Sequence, residues 1–296
     1  MRLTRRHALS LMGAALALPQ CSAHTSNAIR VGSKNFTEAF VIGEIYAQAL
    51  ERAGMTVERH LNLGSVQIAM SALQRRDIDL YPEYTGTGLI EVLHEPPLRD
   101  AERMYQTVKR DYAKQFDLVW LDRSPMNDSQ GLATTQTVSQ KYGLKTLSQL
   151  SRLAGELRLA AIHEFLGRPD ALPGLQKFYG GFHFKDVKSY DIGLKYEALL
   201  HGDADIATAF TTDGQIGADN LVLLEDDKHF WPAYNVAPVV RAAALRQNPK
   251  IAAVLNGIAP FITDESARQM NNAVDHEKRD PADVAAEFLK AHATPA

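Results

Sequence analysis

The chain has one cysteine and two tryptophans. The cysteine is Cys21, so everything beyond it can form no disulfide, no thiolate nucleophile and no cysteine-ligated metal centre. A small disulfide-stapled domain is excluded. Charge of one sign is also missing. The 32 basic and 35 acidic residues leave a net charge of −3, and no basic block tracks a nucleic-acid backbone. No run is long enough to span a bilayer. The most apolar stretch, Ala8 to Leu18, is short and broken by Ser10 and Gly13. Enzyme signatures are absent as well. There is no P-loop and no G-x-S-x-G elbow, and Gly86-Thr87-Gly88 lacks the third glycine of a dinucleotide fingerprint. His163-Glu164 and His276-Glu277 lack the second histidine of a zincin helix, and the ten histidines are scattered.

What is present begins at the N-terminus. Arg2, Arg5 and Arg6 precede the apolar run, Pro19 ends it, small residues Ser22 and Ala23 follow, and no acidic residue occurs before Glu38. This is the layout of an export signal over residues 1–23. Removing it takes away three arginines and no acid, which moves the net charge from −3 to −6. Leu18-Pro19-Gln20-Cys21 resembles a lipoprotein box, although proline and glutamine stand where small residues are usual. An anchor through Cys21 is therefore the alternative to plain secretion. The remaining length, with 45% hydrophobic and 23% charged residues, fits a soluble globular protein of two domains or one large one.

From Ile29 onward, short apolar strands alternate with amphipathic helices. Ile29-Arg30-Val31 reads as a strand leading into a turn, with Asn35 as cap of a helix that carries Val41, Ile45 and Ala49 and ends at Gly54. Strands are expected near Val57–Leu61, Ile78–Leu80, Val119–Leu121, Leu157–Ile162 and Ile206–Phe210, with a helix over Leu194–His201. This alternation predicts an α/β fold with a mostly parallel sheet.

One internal echo stands out. Residues 72–88 align without gaps on residues 198–214 at a constant offset of 126, with Ala72/Ala198, Leu73/Leu199, Asp77/Asp203, Asp79/Asp205, Thr85/Thr211 and Gly88/Gly214 identical and Tyr84 opposite Phe210. Each copy reads as a helix end, an acidic turn, a strand, and a loop opening on an aromatic and a threonine. Ligands of open α/β sheets bind beyond the carboxyl ends of strands. Two such units, one per lobe, are expected to point both aromatics and both threonines into a shared cleft.

Three segments carry a family resemblance: Val31-Gly32-Ser33-Lys34-Asn35-Phe36-Thr37-Glu38; Leu61 to Gly64 with Asp79-Leu80-Tyr81-Pro82-Glu83-Tyr84-Thr85-Gly86-Thr87; and Phe210-Thr211-Thr212-Asp213-Gly214 with Tyr234-Asn235-Val236-Ala237-Pro238-Val239-Val240-Arg241. Together they resemble the osmoprotectant-binding proteins of ABC importers, those for glycine betaine, choline and carnitine. The resemblance implies a two-lobed periplasmic-binding-protein type II fold, with lobe one over residues 28–128 and 235–296 and lobe two over 129–234, closing like a hinged clamp. It implies an exported, periplasmic monomer that needs no cofactor and no metal, binds a small quaternary-ammonium ligand, makes no bond, and partners a membrane permease.

A quaternary ammonium has no N–H to donate, so aromatic faces must hold it. Position by position, the resemblance places Tyr84 and Tyr234 as cage rings. Phe210 stands where the family commonly has a tyrosine. Gln130 stands where it commonly has another, and glutamine brings no π-face. Lys34, Thr87 and Arg168 match positions that bind a ligand carboxylate, for which arginine is suited by its bidentate fork. Two versions follow. Three rings suffice for glycine betaine or choline, or Gln130 hydrogen-bonds a more polar zwitterion, such as a heteroaromatic betaine or an amino-acid derivative. The rival class is an exported enzyme on the same fold, with Asp213 and Glu83 as acid/base candidates.

Overall fold

The computed structural model describes residues 28–232 and 234–292. The segment 1–23 expected to be an export signal, and Cys21 within it, lie outside them. Among the described residues no helix is long and apolar enough to cross a membrane.

Among the described residues ten strands form two five-stranded sheets. The first contains β1 (Ile29–Gly32), β2 (Val57–His60), β3 (Leu80–Tyr84), β4 (Leu118–Trp120) and β10 (Val236–Arg241) in the order β2-β1-β3-β10-β4. The second contains β5 (Gln130–Thr134), β6 (Arg158–Ile162), β7 (Asp186–Tyr190), β8 (Ile206–Phe210) and β9 (Val222–Leu223) in the order β7-β6-β8-β5-β9. The two orders are the same plan. β1, β2 and β3 correspond to β6, β7 and β8, and the fourth place is taken in each sheet by the strand that follows a crossover, β10 in one and β5 in the other. That strand runs antiparallel to both its neighbours. Each sheet is therefore mixed, whereas the alternation of elements alone predicts mostly parallel pairing.

The echo at offset 126 is a structural repeat. In the first sheet Asp79 accepts from the Arg30 backbone N–H and from its Nε and Nη2, at 2.9, 3.0 and 3.0 Å to its two oxygens. In the second, Asp205 does the same for Arg158 at 2.9 Å in each of the three bonds. The carbonyls of Ala72 and Ala198 close the acidic turns by accepting from Asp77 and Asp203.

The two repeat threonines do something other than line a cleft. Thr85 accepts from the Asn235 N–H at 3.2 Å through Oγ1, while its own N–H donates to the Asn235 carbonyl at 3.0 Å. Thr211 treats Ser129 identically, both bonds at 2.9 Å. Each threonine thus pins the residue just before a crossover strand, and an Asn127–Asn235 bridge joins the two crossovers. A hydroxyl beside a strand end satisfies a backbone donor the sheet leaves unpaired, which is the physical reason the threonines turn inward.

The helix predicted to follow β1 spans Thr37–Arg52. Its buried Val41, Ile42, Ile45, Tyr46, Ala49 and Leu50 share a core with Val31, Leu80 and Val240, the spacing of one helical face. Its cap position is Phe36, not Asn35, and no side chain caps it. Glu38 is accordingly the second helical residue. Two C-terminal helices, Asp264–Asp275 and Pro281–Ala291, pack on the same side. Asp280 caps the latter by accepting from Ala282, with Pro281 at its first position, an arrangement worth about 0.5–2 kcal/mol.

Candidate functional site

A cleft of about 460 Å³ opens between the two sheets and is lined by residues of both. All seven residues singled out in the sequence, Lys34, Tyr84, Thr87, Gln130, Arg168, Phe210 and Tyr234, lie on its wall. Tyr84 and Phe210 sit at the carboxyl ends of β3 and β8, which puts the aromatic of each repeat copy at the cleft. Thr85 and Thr211 do not line it.

The Tyr84 ring is 3% exposed and lies 6.0 Å from Phe36, centroid to centroid. Its hydroxyl donates to Glu38 Oε1 at 2.6 Å. The Lys34 ammonium stands 4.5 Å from the Tyr84 centroid while donating to Glu83 Oε1 at 2.6 Å, and the Tyr81 hydroxyl donates to the other Glu83 oxygen at 2.8 Å. Glu83 is fully buried. A buried carboxylate demands such partners, so Lys34 is a closed ion pair that keeps two ammonium protons for other acceptors.

The second sheet repeats this arrangement around Phe210 and Asp213 with two residues, Lys195 and Tyr196, that no motif marked. Lys195 stands 4.6 Å from the Phe210 centroid and 4.8 Å from that of Tyr196, and donates to Asp213 Oδ2 at 2.8 Å. Tyr196 donates to the same oxygen at 2.6 Å, and so does the Phe210 backbone N–H at 3.0 Å. Lys195, Tyr196 and Tyr190 all line the cleft.

At a third point Asp170 collects donors. Gln130 Nε2 reaches its Oδ2 at 2.9 Å, the Tyr234 hydroxyl at 2.7 Å and Arg168 Nη2 at 2.6 Å, while Arg168 Nε reaches Oδ1 at 2.8 Å. Arg168 Nη1 then points across the cleft to Thr87 Oγ1 at 3.5 Å, with Glu91 3.7 Å from the guanidinium. Burial works against the Arg168 charge, but Asp170 more than restores it and holds the guanidinium protonated. Tyr234 packs directly against Gly86, and the Trp231 indole N–H donates to the Asp170 carbonyl at 2.7 Å.

Residues 27–291 match the family described as the substrate binding domain of the ABC-type glycine betaine transport system. The chain belongs to that family. It is 34% identical to the glycine-betaine-binding protein of Pseudomonas aeruginosa, covering 89% of this chain and 88% of that one. It is 32% identical to the ergothioneine transport permease/ergothioneine binding protein EgtU of Helicobacter pylori; that match covers 95% of this chain, which spans 50% of the length of the relative. Among solved structures, one described as a glycine betaine/carnitine/choline ABC transporter superposes with a TM-score of 0.75 at 30% identity, covering 89% of this chain and 98% of that one. The fold is therefore the two-lobed periplasmic-binding-protein architecture, and the protein is a substrate-binding component of a betaine- or carnitine-like ABC transport system, not an enzyme. The acid/base candidates fit that finding, since Glu83 is tied to Lys34 and Tyr81, and Asp213 to Lys195 and Tyr196.

In this family member the cleft is acidic. Its three cations are each matched by a carboxylate: Lys34 by Glu83, Lys195 by Asp213 and Arg168 by Asp170. Glu38 and Asp128 also line it, and among the described residues neither forms an ion pair. Glu38 is 5% exposed. Burial raises its carboxyl above the usual range, against the opposing hydrogen bonds from Tyr84, Thr212 and Asn271. Asp128 is half-buried at the wall. Burial and the charges of Glu38 and Asp213 push its carboxyl well above the ordinary value. None of Glu38, Asp128, Lys195, Tyr196 or Asn271 was marked as a site residue by motif. The only signal in the chain was Glu38 within the Lys-Asn-Phe-Thr-Glu segment.

Proposed function

We propose that the protein captures a small quaternary-ammonium solute, of the glycine betaine, choline or carnitine type, and delivers it to the permease of an ABC importer. The observation that carries this is the pairing of aromatic faces (Tyr84, Phe210, Tyr234) with two carboxyls, Glu38 and Asp128, that have no cationic partner of their own. A cation without N–H groups gains about 0.5–1 kcal/mol per ring face, or about 2 when desolvated. Three rings and two carboxylates then supply much of the roughly 8 kcal/mol of micromolar binding. Arg168 Nη1 and Thr87 at one point of the wall, and the spare Lys34 protons at another, are the donors for a ligand carboxylate.

A second reading rests on Gln130. It stands in the wall where the family resemblance expects a ring, and its amide is held on Asp170. That favours a ligand with a polar heteroaromatic ring between its two charged ends. The Helicobacter pylori relative, named for ergothioneine, points the same way.

The lobes 28–128 with 235–296, and 129–234, would be the bodies that close on the ligand. Residues 1–23 would direct export of a monomer to the periplasm, with or without an anchor at Cys21. Calorimetric titration of the chain from residue 24 with glycine betaine, choline, carnitine and ergothioneine tests the assignment. Binding of at least one is expected, weakened at least tenfold by Tyr84→Ala or Tyr234→Ala. Absence of heat with all four rejects it, and unchanged affinity in both variants rejects the cage.

A further inference from the structure

Asn271, on the helix Asp264–Asp275, is 4% exposed and lines the cleft. Its Nδ2 donates to Glu38 Oε2 and to the Thr212 carbonyl, both at 2.9 Å. Its Oδ1 has no partner among the described residues. Thr212 Oγ1 in turn donates to Asp128 Oδ1 at 2.7 Å. One hydrogen-bonded chain therefore joins Tyr84, Glu38, Asn271, Thr212 and Asp128, crossing from the first sheet's side to the second. With both carboxyls ionised, its free positions are acceptors only: the carboxylate lone pairs and the orphaned Asn271 oxygen. A buried acceptor without a donor costs about 1–3 kcal/mol, and two like charges in one cluster oppose one another.

The surrounding charges relieve this only in part: Lys195 lowers the Asp128 carboxyl, but burial, Glu38 and Asp213 outweigh it. Asp213 is paired with Lys195 at 2.8 Å and takes a hydrogen bond from Tyr196 at 2.6 Å. Glu83 is paired with Lys34 at 2.6 Å. Asp275, on the helix of Asn271, accepts from the hydroxyl of Thr37 and is eased by Gln215 and by the charge of Lys195, yet burial still raises its carboxyl. The Tyr84 phenol is pushed well above its usual value by burial and by Glu38, so it stays neutral.

We propose that Glu38, Asp128 and Asn271 form a proton site linked to capture: the ligand-free protein holds one proton in this cluster, and a permanent cation settling against Tyr84 and Phe210 expels it. The linkage rests on the cation reading above; the proton site itself does not. A proton supplies both the missing positive charge and the missing donor. A quaternary ammonium supplies the charge alone, so the two compete for the cluster. Affinity for such a ligand then rises with pH, by up to about tenfold per unit while one proton is displaced.

Two measurements test this. The first is calorimetry with glycine betaine, choline and ergothioneine as probes, in buffers of low and high ionisation enthalpy. About one proton released per ligand is expected, falling toward zero in Asp128→Asn or Glu38→Gln. The second is a carboxyl-carbon NMR titration of the ligand-free wild-type protein, in which at least one of the two carboxyls is expected to titrate above the ordinary range. Titration of both in the ordinary range overturns the proton site whatever the protein binds. Elevated titration with identical heats in both buffers overturns the linkage. Elevated titration with none of the three amines bound supports the proton site and overturns the cation reading together with the linkage.

Discussion

Adding one methyl group at Gly86 tests whether the cleft depends on the seat of Tyr234. A Cβ built on Gly86 would lie 1.5 Å from Tyr234 Cε1 and 1.6 Å from Cδ1. Carbon atoms in contact stand about 3.5–4.0 Å apart, so the ring must move by about 2 Å. It has no room to do so freely. Tyr234 is 2% exposed, and its hydroxyl is held by Asp170 at 2.7 Å. Breaking a hydrogen bond to a charged group costs about 1.5–3 kcal/mol. Overpacking adds about 1–3 kcal/mol. The expected loss of stability in Gly86→Ala is therefore about 2.5–6 kcal/mol, a large share of the about 5–15 kcal/mol of a typical domain. Displacing one ring also lowers affinity by about 0.5–2 kcal/mol, or about 2- to 30-fold. Urea unfolding gives the first quantity and calorimetric titration the second. The Gly86→Ala/Tyr234→Ala double variant serves as the control. It removes the overlap, so it is expected to lose less stability than the two single variants summed, a non-additivity that a double-mutant cycle detects. A single variant with wild-type stability and affinity would refute the close packing and the role given to the ring.

Two further outcomes are expected. Burial alone would raise the Asp79 carboxyl, but the hydrogen bonds and charge of Arg30 and Arg241 hold it below its usual value. Its contribution is present above the unfolded carboxylate pKa of about 4 and is lost as pH falls through the lower folded value. Asp79→Asn should cost about 3 kcal/mol at neutral pH and flatten the acid limb of the urea midpoint against pH; an unchanged limb would assign the acid sensitivity elsewhere. Arg168→Lys loses the fork on Asp170 and the planar donor facing Thr87, so affinity should fall more for glycine betaine, which carries a carboxylate, than for choline, which has none. Equal losses in titration would place the ligand carboxylate away from Arg168.

Much of the fold can be read along the chain because its signals are local. The apolar strand Ile206–Phe210 and the one-sided helix beginning at Thr37 follow from short-range periodicity. The antiparallel strands β5 and β10 carry no such signal. Their direction is decided by where the chain returns to the other sheet, and an isolated buried strand looks the same running either way. The helix cap at Phe36 escaped for a related reason. Asn35 has the right chemistry for a cap, but its neighbourhood is set by the Asn35 N–H bond to Gly64 at 3.2 Å.

At the site, the repeat and the motif residues lead to Tyr84 and Phe210, because strand ends in an α/β sheet face the ligand side. The partners that set their electrostatics are far away along the chain. Glu38 and Asn271 are 233 residues apart, and Thr212 and Asp128 are 84 apart. The order of residues alone was enough to determine two copies of one α/β unit and membership of a family of betaine-type substrate-binding proteins. Only the tertiary structure decided that the cleft's three cations are each neutralised while Glu38 and Asp128 are not, because desolvation and charge pairing depend on which side chains meet in space.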